Sequence, residues 1–165
     1  MSKINKFYYG SGELWRVIYR NDSGKRHRTD GPAYIRYHED GSIWNEEYYI
    51  NDKRHRTDGP AYIRYYEDGS ISVEEYWLNG GRHRTDGPTI ISYYKDGSVY
   101  YKEYFINDKR HREDGPAVIR YYEDGSIWNE AYYINDKRAT KEQIEEIQFN
   151  KQFDKDLEEV LDAIE

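Results

Sequence analysis

Arg-His-Arg occurs four times in this chain, as Arg26-His27-Arg28, Arg54-His55-Arg56, Arg82-His83-Arg84 and Arg110-His111-Arg112. Imidazoles can ligate metals and move protons, and guanidinium groups hold phosphates in a planar fork. The copies are 28 residues apart. If each copy belongs to one β-hairpin of a stack, equivalent residues lie two strands apart, roughly 9.5–10 Å. A zinc site needs its ligands at about 2.1 Å from one ion, so that pitch keeps any two of these imidazoles from sharing a metal. A basic ladder at the same pitch is a candidate for phosphate binding. Against it, Asp30, Asp58, Asp86 and Asp114 each follow the second Arg by two residues. Arg–Asp pairing that fixes the loop, with His packed beside a Tyr, is the competing expectation. The fifth imidazole, His38, stands where other copies have Tyr66, Tyr94 and Tyr122, and reads as a surface aromatic substitute.

Other residue types are less promising chemically. Glu46-Glu47 and Glu74-Glu75 are adjacent in strands, so their carboxylates point to opposite faces and form no dyad across one bond. Their expected role is a solvated edge. No glycine-rich phosphate loop, HExxH or GxSxG pattern is present. There are no Cys, so thiolate metal sites, disulfides and a Cys nucleophile are excluded. Trp44, Tyr100, Tyr101 and Trp128 are candidates for stacking on a partner, with core packing as the alternative. An enzyme is the least expected class, and neither cofactor nor metal is expected.

The elements that position these residues follow from the period. All four Pro (Pro32, Pro60, Pro88, Pro116) repeat at 28 residues, and the unit reads RHRTDGPAYIRYHEDGSIWNEEYYINDK. Each unit holds one Asp-Gly pair between two runs rich in Tyr and Ile, at Asp40-Gly41, Asp68-Gly69, Asp96-Gly97 and Asp124-Gly125. That is a strong short-range hairpin signal. In the first unit the strands are expected over 33–39 and 42–50. Ile35, Ile63, Ile91 and Ile119 share one face with Tyr37, Tyr65, Tyr93 and Tyr121, while Arg36, Arg64, Ser92 and Arg120 take the other. Ile43 and Tyr48 are five apart and cannot share a face on a regular strand, so a bulge between them is expected, bringing Tyr48, Ile50 and their copies into the core. The stretch NDKRHRTDGP then connects successive hairpins.

The fold class is therefore an all-β repeat, an elongated solenoid with a single twisted sheet of stacked hairpins, plus a C-terminal α-helical segment. Residues 1–25 read as a degenerate capping half-repeat, aligned with Gly12 in the place of Gly41 and one residue inserted near Ser23. Residues 26–138 hold four full units. Residues 139–165 form an acidic helical cap or docking segment. Thr140 and Gln143 match a capping box, and Ile144, Ile147, Phe153, Leu157, Val160, Leu161 and Ile164 follow at helical spacings, with Asn150 a candidate break. Nine carboxylates and three Lys from 140 onward carry about −6 of the net −7.

Composition sets the limits. The chain has 165 residues, only 36% of them hydrophobic, yet 20 Tyr, 4 Trp and 4 Phe supply a core of rings. The mean hydropathy of −1.19 excludes a large oily interior. No run of about 18 apolar residues exists, so no helical membrane span is expected. The opening MSKINKFYYG has no apolar signal region. With no Cys, this fits a cytoplasmic protein.

The unit resembles the MORN repeat and its bacterial relative, the YwqK-type antitoxin repeat, β-hairpin arrays whose connection here reads NDKRHRTDGP. The H-R-x-D-G-P-A variant is similar to a repeat in proteins of phages and large DNA viruses. The resemblance covers about residues 5–138 and implies scaffolding, partner binding or antitoxin-like neutralisation, without catalysis. The expected function is protein binding through a Tyr- and Arg-rich face, in an accessory protein that inhibits a host defence protein or toxin. The alternatives are nucleic acid or anionic lipid bound by the Arg-His-Arg ladder, and a structural homodimer through the tail helix.

Overall fold

The computed structural model describes residues 3–162, without the side chains of 160 and 161. The first hairpin is β1 (Lys3–Tyr8) and β2 (Leu14–Arg20). Four units follow. The first is β3 (Tyr34–Tyr37), β4 (Ile43–Glu47), β5 (Tyr49–Ile50) and β6 (Lys53–Arg54). The second is β7 (Tyr62–Tyr65), β8 (Ile71–Glu75), β9 (Trp77–Leu78) and β10 (Gly81–Arg82). The third is β11 (Ile90–Tyr93), β12 (Val99–Glu103), β13 (Phe105–Ile106) and β14 (Lys109–Arg110). The last is β15 (Val118–Tyr121), β16 (Ile127–Ile134) and β17 (Lys137–Ala139), followed by helix α1 (Lys141–Asp162). The long strands form one antiparallel sheet of 11 strands, in the order β1-β2-β3-β4-β7-β8-β11-β12-β15-β16-β17. This is the expected stack of hairpins.

Each Asp-Gly turn has the same chemistry. In the first unit the His38 amide donates to Ser42 O at 2.8 Å, and Gly41 takes φ 85°, a conformation that carries no Cβ penalty in glycine. Asp40 Oδ1 accepts from both the amide and the hydroxyl of Ser42. The bulge sits next to this turn. Arg36 faces Asn45 while Tyr37 faces Ile43, which makes Trp44 the extra residue. The front segment folds as a complete hairpin of the same kind. Gly12 has φ 94° and donates to Tyr9 O, as Gly41 does to His38 O.

Two expectations change. The connecting stretch is not a plain loop. It holds a second, two-residue hairpin, β5–β6, and its copies β9–β10 and β13–β14. Asn51 and Asp52 both have positive φ, 53° and 65°, as a type I′ turn requires. Asn79-Gly80 in the second unit was the readable signal. This second turn also decides which rings enter the core. Tyr49 and Phe105 are each 5% exposed, whereas Leu78 is 37% exposed. The strand leaves the main ladder after Glu47, so the alternation restarts, and Tyr48 and Ile50 end only half-buried.

Both sheet faces are covered. Ile63, Ile91 and Ile119 are buried on one, and Val73, Ile90 and Val118 on the other. Ala33, Ala61 and Ala117, with Thr89 at the equivalent place, are wholly buried where successive units meet.

The tail is one unbroken helix through Asn150. Asparagine only weakly opposes a helix interior, and the capping box starts the helix firmly. The Thr140 amide donates to Gln143 Oε1 at 2.9 Å, and the Gln143 amide donates to Thr140 Oγ1 at 3.3 Å. Ile144 is 2% exposed. Further along, Lys151 Nζ donates to Glu113 in the last connection. Of the apolar positions, Ile164 lies outside the described residues, as do the side chains of Val160 and Leu161.

Candidate functional site

The Arg-His-Arg rows are held from three sides. The second Arg of each is a flat staple. The Arg84 guanidinium lies 3.8 Å from the centre of the Tyr76 ring. Its Nε donates to Asp86 at 2.8 Å and its Nη1 to Pro88 O at 3.2 Å. Arg28, Arg56 and Arg112 repeat the set on Tyr19, Tyr48 and Tyr104, at 4.1, 4.1 and 4.0 Å. The glycine three residues on makes this possible. A Cβ on Gly87 would stand 3.1 Å from Arg84 Cζ. Aspartates Asp30, Asp58 and Asp86 are held below the usual carboxylate range, first by the hydrogen bond from Arg and then by its charge.

The first Arg of each row turns to the opposite face. Arg54 donates through Nε and Nη2 to Glu47 Oε2, at 3.0 and 2.7 Å. Arg110 donates to Glu103 at 2.5 Å, and Arg82 lies 3.9 Å from Glu75. Arg26, with no Glu seven residues before it, donates to Asp52 at 2.8 Å. The histidines each tie their connection to the type I′ turn 24 residues later. Their Nδ1 atoms accept the amide N–H of Asn51, Asn79, Asn107 and Asn135, at 3.1–3.3 Å. Arg–Asp pairing within the loop is thus present in all four units. The outward group of each connection is the aspartate, whose side chain is 80% exposed.

The acidic pairs are not a solvated edge. Glu47, Glu75 and Glu103 have side chains only 13%, 18% and 6% exposed. They accept from ring donors, Tyr49 Oη, Trp77 Nε1 and Tyr101 Oη, at 2.5, 2.9 and 2.6 Å, and Glu47 and Glu103 accept from Arg as well. Glu46 and Glu74 accept Tyr65 and Tyr93 Oη on the other face. Burial first, and then these carboxylates, push the Tyr65, Tyr93 and Tyr101 phenols up. The two-faced burial of the sheet turns these carboxylates into internal acceptors.

The hairpin tips carry the exposed rings. Tyr9–Trp15, His38–Trp44, Tyr94–Tyr100 and Tyr122–Trp128 are ring pairs 5.2–6.4 Å apart. Trp128 is 62% and Tyr100 37% exposed. The second unit breaks the row, because Ser72 stands where the others have a ring. Tips are also tied unit to unit. Tyr9, Tyr66 and Tyr94 donate from Oη to the carbonyls of Tyr37, Tyr93 and Tyr121, at 2.8, 2.6 and 2.9 Å. His38 occupies this place in the first unit, and among the described residues its Nε2 is buried without a partner. Replacing His38→Tyr is therefore expected to stabilise the fold by about 1 kcal/mol, by restoring the bond to Tyr65 O. A urea titration checks this, and an unchanged or lowered midpoint would refute it.

A second exposed surface lies on α1. Phe149, Phe153 and Leu157 are 69%, 59% and 48% exposed. At 100° per residue they form one stripe, opposite Ile144 and Lys151, which hold the helix to the hairpins. Glu142, Glu145, Glu146 and Asp156 fall on the stripe's half of the helix, and all three Lys fall on the other half. The helical spacing of apolar residues in the sequence includes Phe153 and Leu157 but not Phe149, which the structure adds to the stripe. No helix is long and apolar enough to cross a membrane among the described residues.

A family model described as MORN repeat variant matches residues 33–51 and 117–135. Comparison with curated proteins finds no match, and comparison with solved structures finds none. The two matched segments lie in the first and last full units of the array, each running from the buried alanine through the hairpin to the first residue of the type I′ turn. The chain carries MORN-like repeats.

Proposed function

We propose that this protein is a non-enzymatic protein-binding module, and that the helix stripe of Phe149, Phe153 and Leu157 is its principal contact. The exposed stripe carries the reading, since three large apolar side chains in a row on the outward face of a helix contribute nothing to the hairpins. MORN-like repeats, generally binding modules, supply a rigid support for it. The carboxylates around the stripe favour a partner with an apolar groove rimmed by Lys or Arg. They oppose pairing with a second copy, whose stripe carries the same charges. The Arg-His-Arg rows act in this reading chiefly as struts, because the second Arg of each row is held by an Asp and a Pro carbonyl, and Arg26, Arg54 and Arg110 donate to carboxylates of the chain itself. That also weighs against binding of nucleic acid or anionic lipid through the ladder. The accessory role, neutralising a host defence protein or toxin as in phage- and virus-type proteins, is supported by the resemblance to the H-R-x-D-G-P-A variant and to YwqK-type repeats.

The test is capture from host lysate on the full chain, after nuclease treatment, beside a variant with Phe149, Phe153 and Leu157 changed to Ser. A discrete protein held by the first and released about tenfold or more by the second is the expected result. Equal retention on both would move the contact elsewhere. Material retained only without nuclease would establish the phosphate reading instead.

A further inference from the structure

Arg36 and Arg64 occupy the same place in successive units, but their surroundings differ. The Arg36 guanidinium lies 4.0 Å from the centre of the Trp44 ring. Arg120, another copy, lies 5.3 Å from Tyr101 and donates to Asn129. Among the described residues Arg64 has no ring over it, and the residue equivalent to Trp44 is Ser72. Its Nε donates to Ser72 Oγ at 3.3 Å, and among the described residues its Nη groups have no partner. The missing ring leaves a notch of about 330 Å³ in the aromatic row, lined by Trp44, Arg64, Tyr66, Ser72, Lys95 and Tyr100. That volume is at the lower end of the range for small-ligand sites, about 300–1,000 Å³. His38, Tyr65 and Glu67 complete the lining, so the charges of Lys95 and Glu67 oppose one another and leave the guanidinium as the unbalanced group.

We infer that the notch at Ser72 is a receptor for one aromatic side chain of a protein partner, stacked on the Arg64 guanidinium where Trp44 stacks on Arg36 one unit earlier. The array itself shows what fills this place, since an indole or phenol ring stands there in the units before and after. A guanidinium with a free face attracts the negative face of a ring, and does so more strongly when water is excluded by flanking rings. Trp44 and Tyr100 provide those flanks. The site takes a neutral planar ring in preference to an aliphatic chain, which gains nothing from the guanidinium. The inference rests on the protein-binding reading for the nature of the partner, but not on the helix stripe.

The probe is N-acetyl-tryptophanamide, titrated into the full ¹⁵N-labelled chain while the Arg64 Nε–H and Trp44 indole N–H resonances are followed. A saturable ring-current shift at Arg64 is expected, with Kd on the order of millimolar, as suits one cation–ring contact. N-acetyl-leucinamide is expected to bind several-fold more weakly. Ser72→Trp fills the notch with the residue found in the first and fourth units, and abolishes the shift. Ser72→Tyr, the residue type of the third unit, does the same if the larger ring disturbs the amide spectrum. An unsaturable shift, or one unchanged in both variants, overturns the inference. Tighter binding of adenosine monophosphate than of the tryptophan amide also overturns it, by making the notch a nucleotide subsite. In lysate capture, Ser72→Trp lowers retention of the partner. A protein held equally by wild type and Ser72→Trp refutes the notch alone, whereas capture of no protein refutes the binding reading and leaves the titration to decide the notch.

Discussion

Arg84→Ala is expected to destabilise the fold by about 2–4 kcal/mol, summing a desolvated cation–ring contact, a hydrogen bond from a charged donor and lost packing. The guanidinium is only 20% exposed and lies between the Tyr76 ring and the Gly87 backbone. Asp86, its ion-pair partner, is 80% exposed, so water screens that pair and the share of stability it carries is small. Two comparisons separate shape from charge. Arg84→Lys retains the charge but has no plane to lie flat on Tyr76, and should recover little of the loss. Asp86→Asn should be mild beside Arg84→Ala. Urea denaturation of the three variants decides the matter. Wild-type stability in Arg84→Lys would show that charge, and not the flat stack, holds the connection.

The second large effect is at the Glu103–Arg110 pair. The Glu103 side chain is 6% exposed and accepts from Arg110 Nε at 2.5 Å and Tyr101 Oη at 2.6 Å. Arg110→Ala removes the counter-charge and leaves a buried carboxylate with one phenol donor. Breaking a buried pair this way costs about 3–5 kcal/mol, and the 45% exposure of Arg110 lets water soften it, so about 2–3 kcal/mol is expected here. Glu103→Gln alone should cost less, because Arg110 then turns to solvent. In the double variant the two losses should not add, since the orphaned charge is gone. Thermal or urea unfolding of the four-member cycle measures the coupling. Additive losses would mean that the pair is not a unit.

These two sites show how unevenly the chain could be read. The hairpins were legible from Asp40-Gly41 and its copies because a turn is decided within four or five residues. The capping box at Thr140 and Gln143 was legible for the same reason. The short hairpin at Asn51-Asp52 was missed because Asn-Asp signals a type I′ turn less strongly than Asn-Gly, which appears only at Asn79-Gly80. The core positions after Glu47 were misassigned for the same cause, since an unrecognised turn resets which residues point inward.

The sequence by itself determined the repeat, its period, the Asp-Gly hairpins, the aspartate partner of the second Arg in each row, and the start of the acidic helix. All of these depend on neighbours a few residues apart. Only the tertiary structure decided that both sheet faces are covered, which makes Glu47 and Glu103 internal acceptors and not edge charges. It also decided that each histidine receives an amide of the type I′ turn 24 residues later, and that Phe149 joins Phe153 and Leu157 on the outward side of the helix. The histidine contacts, like the tyrosine bonds between hairpin tips, join residues 24–28 positions apart. Their geometry depends on the register in which one unit stacks on the next, and no local pattern specifies that register.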